Sequence, residues 1–372
     1  MAYLPNKRDN AMRKHNFYAG PSTLPLSVLE ELRDDMVDYK KMGLSLVETS
    51  HRSAEYDEVH AAALDGLREH MRVPETHDVL LLGGGATLQF GMVPMNLISD
   101  GGHADIVVSG SWAKKALDDL RSVASANILF DGADSGYTTL PSPGAVAPSD
   151  NSSYVHITSN ETIGGVQWKE FPSTGQVPLV TDMSSDILSR AVDVGDFGLI
   201  YAGAQKNLGP AGVTVVIIRK ELVEKGRKNL PAYLRYGTHA GKNSLYNTPP
   251  VFSVWALSLV MKWIRNEGGV GVIETRNTEK ASLVYEVIDK NPDFFRCPVD
   301  PACRSTMNVV FRLPDESLEA SFVKQATAAG MIGLKGHRSV GGIRVSLYNA
   351  LPLASARSVA EFMESFAQDH GV

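Results

Sequence analysis

Short apolar runs recur through the middle of the chain and predict the strands of one sheet. The runs are rich in Val, Ile and Leu, and small or polar residues follow most of them. Stretches of helical composition separate several runs, as in successive βαβ units, which favours a largely parallel sheet with helices on both faces. The predicted strands span residues 79–82, 105–108, 127–130, 154–157, 179–181, 199–201 and 213–218.

The pattern changes near residue 270. The segment Asn266-Glu-Gly-Gly269 is typical of a helix end, and a long helix is predicted over residues 273–289. Two further strands are predicted over 307–312 and 342–346. We therefore predict an α/β fold with two domains. The large domain covers 1–270, with an N-terminal arm over 1–16 and a mostly parallel sheet of about seven strands, and a smaller α+β domain covers 271–372.

Composition and charge exclude several classes of function. Lys and Arg number 36 against 42 Asp and Glu, and the net charge of −6 disfavours binding to nucleic acid or to an anionic membrane. The longest apolar stretch, residues 251–264, contains Ser253, Ser258 and Lys262 and is too short to span a bilayer. The first ten residues lack the apolar region of a secretory signal, so we expect a cytoplasmic protein.

The cysteine content gives no sign of a metal site. Cys297 and Cys303 are the only cysteines, and their spacing matches no common zinc motif. A single pair in a chain of 372 residues is also no disulfide framework. We predict two reduced thiols and no bound metal.

A lysine in a loop of small residues is the strongest chemical signal. Lys206 lies in Ala202-Gly-Ala-Gln-Lys-Asn-Leu-Gly-Pro-Ala-Gly212, between two apolar strands. Small neighbours allow a flat ring to approach, and a secluded lysine can lose its proton and attack a carbonyl. An ordinary surface lysine on a glycine-rich turn explains this segment equally well.

An aspartate at a second strand end strengthens the catalytic interpretation. Asp182 ends the apolar segment Val177-Pro-Leu-Val-Thr-Asp182. Ligands of open α/β sheets bind beyond the carboxyl ends of the strands, where Lys206 also falls. An aspartate there can pair with a protonated ring nitrogen, as pyridoxal phosphate chemistry requires, although a lone Asp more often caps a helix.

Three further strand ends carry candidate cofactor contacts. Gly83-Gly-Gly-Ala-Thr-Leu-Gln89 precedes a helix whose amides can face a phosphate, but it is neither a Walker loop nor a complete dinucleotide motif and fits any phosphorylated cofactor. Trp112 can stack on a flat ring, or simply belong to the core. Thr162, in Asn160-Glu-Thr162, offers a hydroxyl near the same crevice, or lies in a polar turn.

Several motifs follow one another along the chain: Asn16-Phe-Tyr-Ala-Gly-Pro-Ser22, Ser50-His-Arg52, Asn160-Glu-Thr-Ile163, the Lys206 loop, Tyr246-Asn-Thr-Pro-Pro250 and Lys335-Gly-His-Arg-Ser-Val-Gly-Gly-Ile-Arg344. In this order and spacing they resemble the phosphoserine aminotransferase family over nearly the whole chain, from about Phe17 onwards. The resemblance implies a fold-type I enzyme that uses pyridoxal 5′-phosphate. It also implies a homodimer whose sites contain residues of both subunits.

The resemblance assigns a role to each cofactor residue. Lys206 would bind the cofactor covalently and Asp182 would pair with its ring nitrogen. The remaining contacts would come from Trp112 stacked on the ring, from Thr162 and Gln205, from Ala86 and Thr87 at the phosphate, and from Asn247 and Thr248 of the neighbouring subunit. Some members of the family carry Gly-Arg where this chain has Ala86-Thr87, so backbone amides and the Thr87 hydroxyl would have to replace a side-chain cation.

The resemblance also implies substrates. Arg344 would clamp the α-carboxylate with its planar guanidinium. A basic group of His51, Arg52, His337 and Arg338 would take the distal anion, although surface ion pairs are the commoner role of such residues. The implied reaction interconverts O-phospho-L-serine and 2-oxoglutarate with 3-phosphonooxypyruvate and L-glutamate. A second activity on 4-phosphooxy-L-threonine in pyridoxine biosynthesis is expected from the family.

Two other functions stay open. One is a different fold-type I enzyme, such as an alanine–glyoxylate aminotransferase or a cysteine desulfurase. The desulfurase needs a mobile catalytic cysteine, and neither cysteine lies in such a motif. The other is a non-catalytic scaffold of the same fold that binds anions.

Overall fold

The computed structural model describes residues 13–372, and their strands form one large sheet and three two-stranded sheets. The predicted arm therefore lies outside the described residues except for residues 13–16. The strands are β1 (His15–Asn16), β2 (His77–Leu82), β3 (His103–Val108), β4 (Ser125–Asp131), β5 (Val155–Thr158), β6 (Asn160–Glu161), β7 (Val166–Gln167), β8 (Leu179–Asp182), β9 (Leu199–Gly203), β10 (Thr214–Arg219), β11 (Asn308–Phe311), β12 (Met331–Ile332) and β13 (Ile343–Ser346).

The large sheet has seven strands in the order β2-β10-β9-β8-β5-β3-β4. The strands from β9 through β4 are parallel to one another, and β10 runs antiparallel to both of its neighbours. The predicted mostly parallel seven-stranded sheet is thereby confirmed. Because Gly203 pairs with Thr214, the loop that contains Lys206 closes a hairpin between β9 and β10 and stays at the strand ends.

Helices cover both faces of this sheet. Alternate residues of strand β10 pack into the hydrophobic clusters on opposite faces of the sheet. Val215 and Ile217 face one cluster, and Val216 and Ile218 face the other. Burying each such side chain stabilises the fold by roughly 1.5–3 kcal/mol. The helices are α1 (Leu26–Asp35), α2 (Ala54–Met71), α3 (Gly85–Leu97), α4 (Ser111–Val123), α5 (Lys220–Lys225), α6 (Tyr236–Ala240), α7 (Val251–Asn266), α8 (Val270–Lys290), α9 (Glu316–Ala328) and α10 (Leu353–Gln368). None of these helices, over residues 13–372, is long and apolar enough to cross a membrane.

The C-terminal part of the chain has a core of its own. Helices α8, α9 and α10 pack with the antiparallel pair β11–β13 around a cluster that includes Phe295, Phe311 and Phe322. Phe17 belongs to the same cluster, and β1 pairs with β12. The start of the described chain is thus attached to the C-terminal core, whereas the sequence pattern predicts an arm of the large domain. The division at residue 270 stays a prediction.

Candidate active site

Five strands of the large sheet end at one edge, and the segments after them hold the candidate residues. Because parallel strands place their carboxyl ends together, residues far apart in sequence meet there. Strands β2, β3, β5, β8 and β9 lead respectively to Gly83, Trp112, Thr162, Asp182 and Lys206.

The Lys206 side chain is buried and oriented by a hydroxyl. Its Nζ donates a hydrogen bond to Thr162 Oγ1 at 2.6 Å, and 9% of the residue is exposed. Burial lowers the pKa of Lys206 to about 8, although the carboxylates of Asp182 and Glu161 oppose that shift. Near physiological pH, more of this amine is therefore neutral than of an ordinary lysine, and the neutral amine is the form that attacks a carbonyl carbon.

Asp182 is the last residue of β8 and lies inside the protein. Its Oδ1 accepts the Ser184 N–H at 2.8 Å, and 5% of the residue is exposed. Burial raises the pKa of the Asp182 carboxyl, and the charge of Lys206 partly reverses that shift. A buried acid held by one backbone amide can stabilise a positive charge placed before it.

Trp112 presents a flat ring beside the lysine. The Lys206 Nζ lies 5.6 Å from the centroid of the Trp112 ring, and the Lys115 Nζ lies 4.5 Å from it. The indole Nε1 is buried and has no hydrogen-bond partner among residues 13–372. Buried indole nitrogens usually find an acceptor, so this orphan donor indicates room for a polar ligand beside the ring.

The loop after β2 can receive a phosphate. Gly84 has a φ of 94° and Gly85 one of 70°, and helix α3 begins at Gly85 without a side-chain cap. The amides of its first turn, which include those of Ala86 and Thr87, have no partner within the helix. Ala86 is half-buried and Thr87 exposed, so both can be reached by an anion.

These groups fit pyridoxal phosphate. They are the amine of Lys206, the buried carboxylate of Asp182, the flat ring of Trp112 with its unpaired N–H, and the uncapped amides at the start of α3. Gln205 is half-buried in the same loop as Lys206. The N-terminal segment also reaches this loop, because the Ser22 N–H donates to the Gln205 carbonyl at 3.0 Å and the Ser22 hydroxyl donates to the Lys206 carbonyl.

Arg344 reaches the same crevice from the C-terminal part. It lies on β13, and its Nη1 donates to the Thr162 carbonyl at 3.3 Å. Its Nε is buried without a hydrogen-bond partner among residues 13–372, and burial lowers the pKa of the guanidinium. An incompletely paired guanidinium next to Thr162 is suited to bind a carboxylate.

Further positive groups cluster beside Arg344. His337 is half-buried and Arg338 is exposed in the loop before β13. Burial lowers the pKa of His337, and the charges of Arg344, Arg338 and Lys115 lower it further. Four cationic or titratable groups of one chain therefore face a common region, and an anion bound there would relieve their mutual repulsion.

Four predicted residues make no hydrogen bond or ion pair to this region among the described residues of the single chain, so their roles stay predictions. His51 is half-buried, and Arg52, Asn247 and Thr248 are exposed. In the part of the chain that the structure describes, Arg52 bonds through its amide to the Ser50 hydroxyl at 3.2 Å, and Asn247 bonds to the Thr248 carbonyl at 3.0 Å. These contacts are local, and they leave the side chains of Arg52 and Thr248 available to a neighbouring molecule.

Sequence reasoning missed two charged residues at the site. Glu161 is 0% exposed and bonds to the backbone of Trp112, and Lys115 lies over the Trp112 ring. Glu161 has a visible signal, since a charged residue within the strand-rich segment 154–168 must be paired if it is buried. Lys115 has no such signal, because it looks like any exposed lysine of helix α4.

Comparison with known proteins gives a consistent result. The family model Aminotransferase class-V matches residues 14–355. A phosphoserine aminotransferase of Lysinibacillus sphaericus (strain C3-41) is 50% identical over 358 residues, which are 96% of this chain and 99% of that protein.

Solved structures agree with the sequence comparison. A phosphoserine aminotransferase from Bacillus circulans subsp. alkalophilus has a TM-score of 0.95 at 49% identity, covering 96% of this chain and 99% of that one. A pyridoxal phosphate-bound phosphoserine aminotransferase from Trichomonas vaginalis has a TM-score of 0.86 at 35% identity, covering 95% of this chain and 100% of that one. The chain is similar to these proteins over nearly its full length.

Proposed function

The chain belongs to the phosphoserine aminotransferases of the aminotransferase class-V family, and from this premise we propose how its residues divide the reaction. It is a pyridoxal phosphate-dependent transferase of serine biosynthesis. The proposed substrates are O-phospho-L-serine and 2-oxoglutarate, interconverted with 3-phosphonooxypyruvate and L-glutamate. The observation that carries this proposal is the buried Lys206 amine, bonded to Thr162 and 5.6 Å from the Trp112 ring.

The cofactor residues would hold the cofactor in place and polarise its ring. Bound pyridoxal phosphate supplies an aldehyde carbon that carries the amino group and a ring that withdraws electrons. Lys206 would provide the covalent link and Asp182 would keep a positive charge on the ring nitrogen. Trp112 would cover one face of the ring, and the amides of Ala86 and Thr87 would bind the phosphate.

Lys206 is also the residue that would move the proton. When it is not linked to the cofactor, its Nζ would be free to take a proton from the substrate Cα and to return one. The Thr162 hydroxyl fixes the position of Nζ at 2.6 Å, and a pKa of about 8 suits both uptake and release near neutral pH. Thr162 is thus proposed to orient the amine, and Gln205 to contact the cofactor beside it.

The substrate would be held at its two ends. Arg344 would bind the α-carboxylate, which amino and oxo acids share. His337 and Arg338 of one chain, with His51 and Arg52, would bind the distal phosphate or carboxylate, because guanidinium groups match both anions. His337 and Arg344 line a pocket together with Tyr137, Ile163 and Val310, whose side chains would exclude water from the bound substrate.

We propose a homodimer with composite sites. Large apolar side chains are exposed on α1, which packs against α7, and in the bend after it: Leu26 is 52% exposed and Val37 81% exposed. Patches of this kind typically mark protein interfaces. A second copy seated on this surface would supply Asn247 and Thr248 to the phosphate of its neighbour.

Hybrid dimers test this assembly. Lys206→Ala subunits mixed with Asn247→Ala/Thr248→Ala subunits should regain part of the wild-type activity, since one site of each hybrid would be intact. Dimers verified as hybrid and yet inactive would show that each site is built by one chain.

Two further properties follow from the same assignment. We propose that the enzyme also acts on 4-phosphooxy-L-threonine, which carries the same phosphate and α-carboxylate groups and therefore fits the same two clamps. We also propose a cytoplasmic location, which the free thiols of Cys297 and Cys303 support.

A half-reaction tests the function directly. Phosphoserine added to the holoenzyme without 2-oxoglutarate should convert the violet absorbance of the bound cofactor to that of its amine form. L-Serine, which lacks the phosphate, is the matched control and should react far more slowly. No conversion with phosphoserine, or conversion by L-alanine at the same rate as by phosphoserine, would refute the proposal.

A further inference from the structure

Helix α4 begins without a cap of its own and is capped by a distant carboxylate. Its N-cap position is Gly110, which has no side chain to accept the free amides. Glu161 follows Trp112 by 49 residues in the sequence. Its Oε2 accepts a hydrogen bond from the Trp112 N–H at 3.1 Å. Its Oε1 accepts the Ala113 N–H at 2.9 Å. Both oxygens of one carboxylate therefore bind the first turn of the helix that carries Trp112.

The space for this carboxylate is provided by Gly110. A Cβ at Gly110 would lie 2.5 Å from the Glu161 Cδ, which is too close for any real side chain. The φ of Gly110 is 169°, an extended conformation that any residue adopts. Glycine is needed here for room rather than for backbone freedom, and Glu161 is 0% exposed within the space it leaves.

Glu161 is joined to the reacting groups on two sides. Its carboxylate binds the backbone amide of Trp112, and its sequence neighbour Thr162 accepts a hydrogen bond from the Lys206 amine. The pKa of Glu161 is raised to about 7, first by burial and then by the charge of Asp182. The bonds from the Ala113 and Trp112 amides and the charge of Lys206 act in the opposite direction.

We propose that Glu161 is a positioning residue, which fixes the Trp112 ring against the cofactor by capping helix α4 and does not touch the substrate. This inference rests on the proposed function, which puts the cofactor ring at Trp112. The positive end of the helix dipole and two amide donors favour a charged carboxylate at this point. Loss of the cap would free the first turn of the helix and allow the indole ring to rotate away from the cofactor.

Two substitutions remove the cap by different routes. Glu161→Gln keeps the shape of the side chain but replaces one acceptor oxygen by an NH₂ group, which faces an N–H donor. Gly110→Ala keeps Glu161 and displaces its carboxylate. Asp105→Asn is the matched control, because Asp105 is also buried and accepts an amide at 2.7 Å, away from the end of β3 that leads to Trp112.

The experiment measures cofactor binding and ring environment as well as turnover. Full-length enzyme stripped of cofactor is titrated with pyridoxal phosphate, followed by quenching of tryptophan emission, and Trp112→Phe identifies the share due to Trp112. Circular dichroism of the violet cofactor band reports how rigidly the ring is held. We expect Glu161→Gln and Gly110→Ala to weaken binding roughly tenfold, to reduce the dichroism and to lower kcat while the KM for phosphoserine stays unchanged. Asp105→Asn should match the wild type within about twofold.

The outcomes separate this inference from the proposed function. Wild-type dichroism and affinity in both Glu161→Gln and Gly110→Ala would overturn the role of Glu161. Equal quenching in wild type and Trp112→Phe would show that the cofactor does not bind beside Trp112. That result would refute the proposed cofactor site as well as the role of Glu161. If Glu161→Gln does not fold, the Gly110→Ala variant alone tests the role of Glu161, because it retains the native carboxylate.

Discussion

The two ends of the proposed site differ in how they are built. At the cofactor end, Lys206, Asp182 and Thr162 are buried, and two of them are hydrogen-bonded to each other within one chain. At the distal-anion end, Arg52 and Arg338 are exposed and are fixed by no side-chain partner among the described residues. One end is therefore rigid before any ligand arrives, whereas the other is completed on binding.

This difference indicates a division of tasks. The cofactor chemistry is common to all substrates and benefits from groups that need no rearrangement. The distal end must accept a phosphate on one substrate and a carboxylate on the other, which flexible guanidinium groups allow. Variants at the buried end should change the rate for every substrate, and variants at the exposed end should change the choice between substrates.

The largest effect is expected at the buried end from Lys206→Ala. Removing the amine removes both the covalent link and the proton carrier, so turnover should fall below detection for every substrate. Because the lysine lies in a loop at the strand ends, unfolding temperatures should stay close to those of the wild type. Turnover near the wild-type rate would show that Lys206 is not the reactive lysine.

Asp182→Asn should have the next largest effect. The amide retains an oxygen for the Ser184 N–H but cannot hold a charge on the ring nitrogen. We expect single-turnover rates to fall by roughly 10²-fold or more for phosphoserine and glutamate alike, with cofactor binding largely kept. A normal single-turnover rate would mean that Asp182 acts only as a structural acceptor.

Arginine variants at the exposed end sharpen the comparison. Arg52→Ala and Arg338→Ala should lower the ratio of half-reaction efficiencies, phosphoserine over glutamate, by about tenfold, because a dianion gains more from a cation than a carboxylate does. Arg344→Ala should lower both efficiencies and leave the ratio nearly constant. If all three variants change the ratio equally, the two ends do not divide binding as proposed.

The pH dependence of cofactor attachment tests how well the lysine is buried. Only the neutral amine attacks, so the rate rises as pH increases through the pKa of Lys206, which is about 8. Between about pH 7 and pH 9 the initial rate of attachment should rise about tenfold, since the neutral fraction is already appreciable at the lower pH. An exposed lysine of ordinary pKa, 10.5, would give about a hundredfold rise over the same range.

The smallest effect is expected at Lys115, which lies between the two ends. Lys115→Gln removes a charge that acts on His337. It should weaken the binding of phosphoserine about threefold more than the binding of glutamate. Lys114→Gln is the control, because its amine lies over the Tyr137 ring instead, 5.7 Å from the centroid. Equal effects of the two variants would make Lys115 an ordinary surface charge.

The sequence predicts the strands well because they are continuous apolar runs. The predicted strand over 199–201 is β9 (Leu199–Gly203), and the helix over 273–289 is α8 (Val270–Lys290). Strand direction is not contained in such a run, which explains why the apolar pattern does not identify β10 as the antiparallel strand of the large sheet. Pairs of two residues, such as β6 with β7, are too short to give a pattern.

The site is predictable where it depends on strand ends. Asp182 and Lys206 follow apolar runs, so the sequence alone indicates that they lie close together. The cap by Glu161 depends on a tertiary contact across 49 residues and on the space at Gly110, and neither leaves a local signal. The roles assigned to His51 and Asn247 depend on a second chain and stay predictions.

The attachment of the N-terminal segment to the C-terminal core also bears on synthesis of the chain. His15 bonds through its Nδ1 to the Ser355 hydroxyl, 340 residues later, and its strand pairs with β12. At roughly 5–20 residues per second, a ribosome needs on the order of 20 to 70 s to connect these two points. During that interval the segment that touches the Lys206 loop through Ser22 has no anchor at its other end. The active site is therefore completed only after the C-terminal core that holds β12 and Ser355 has been synthesised.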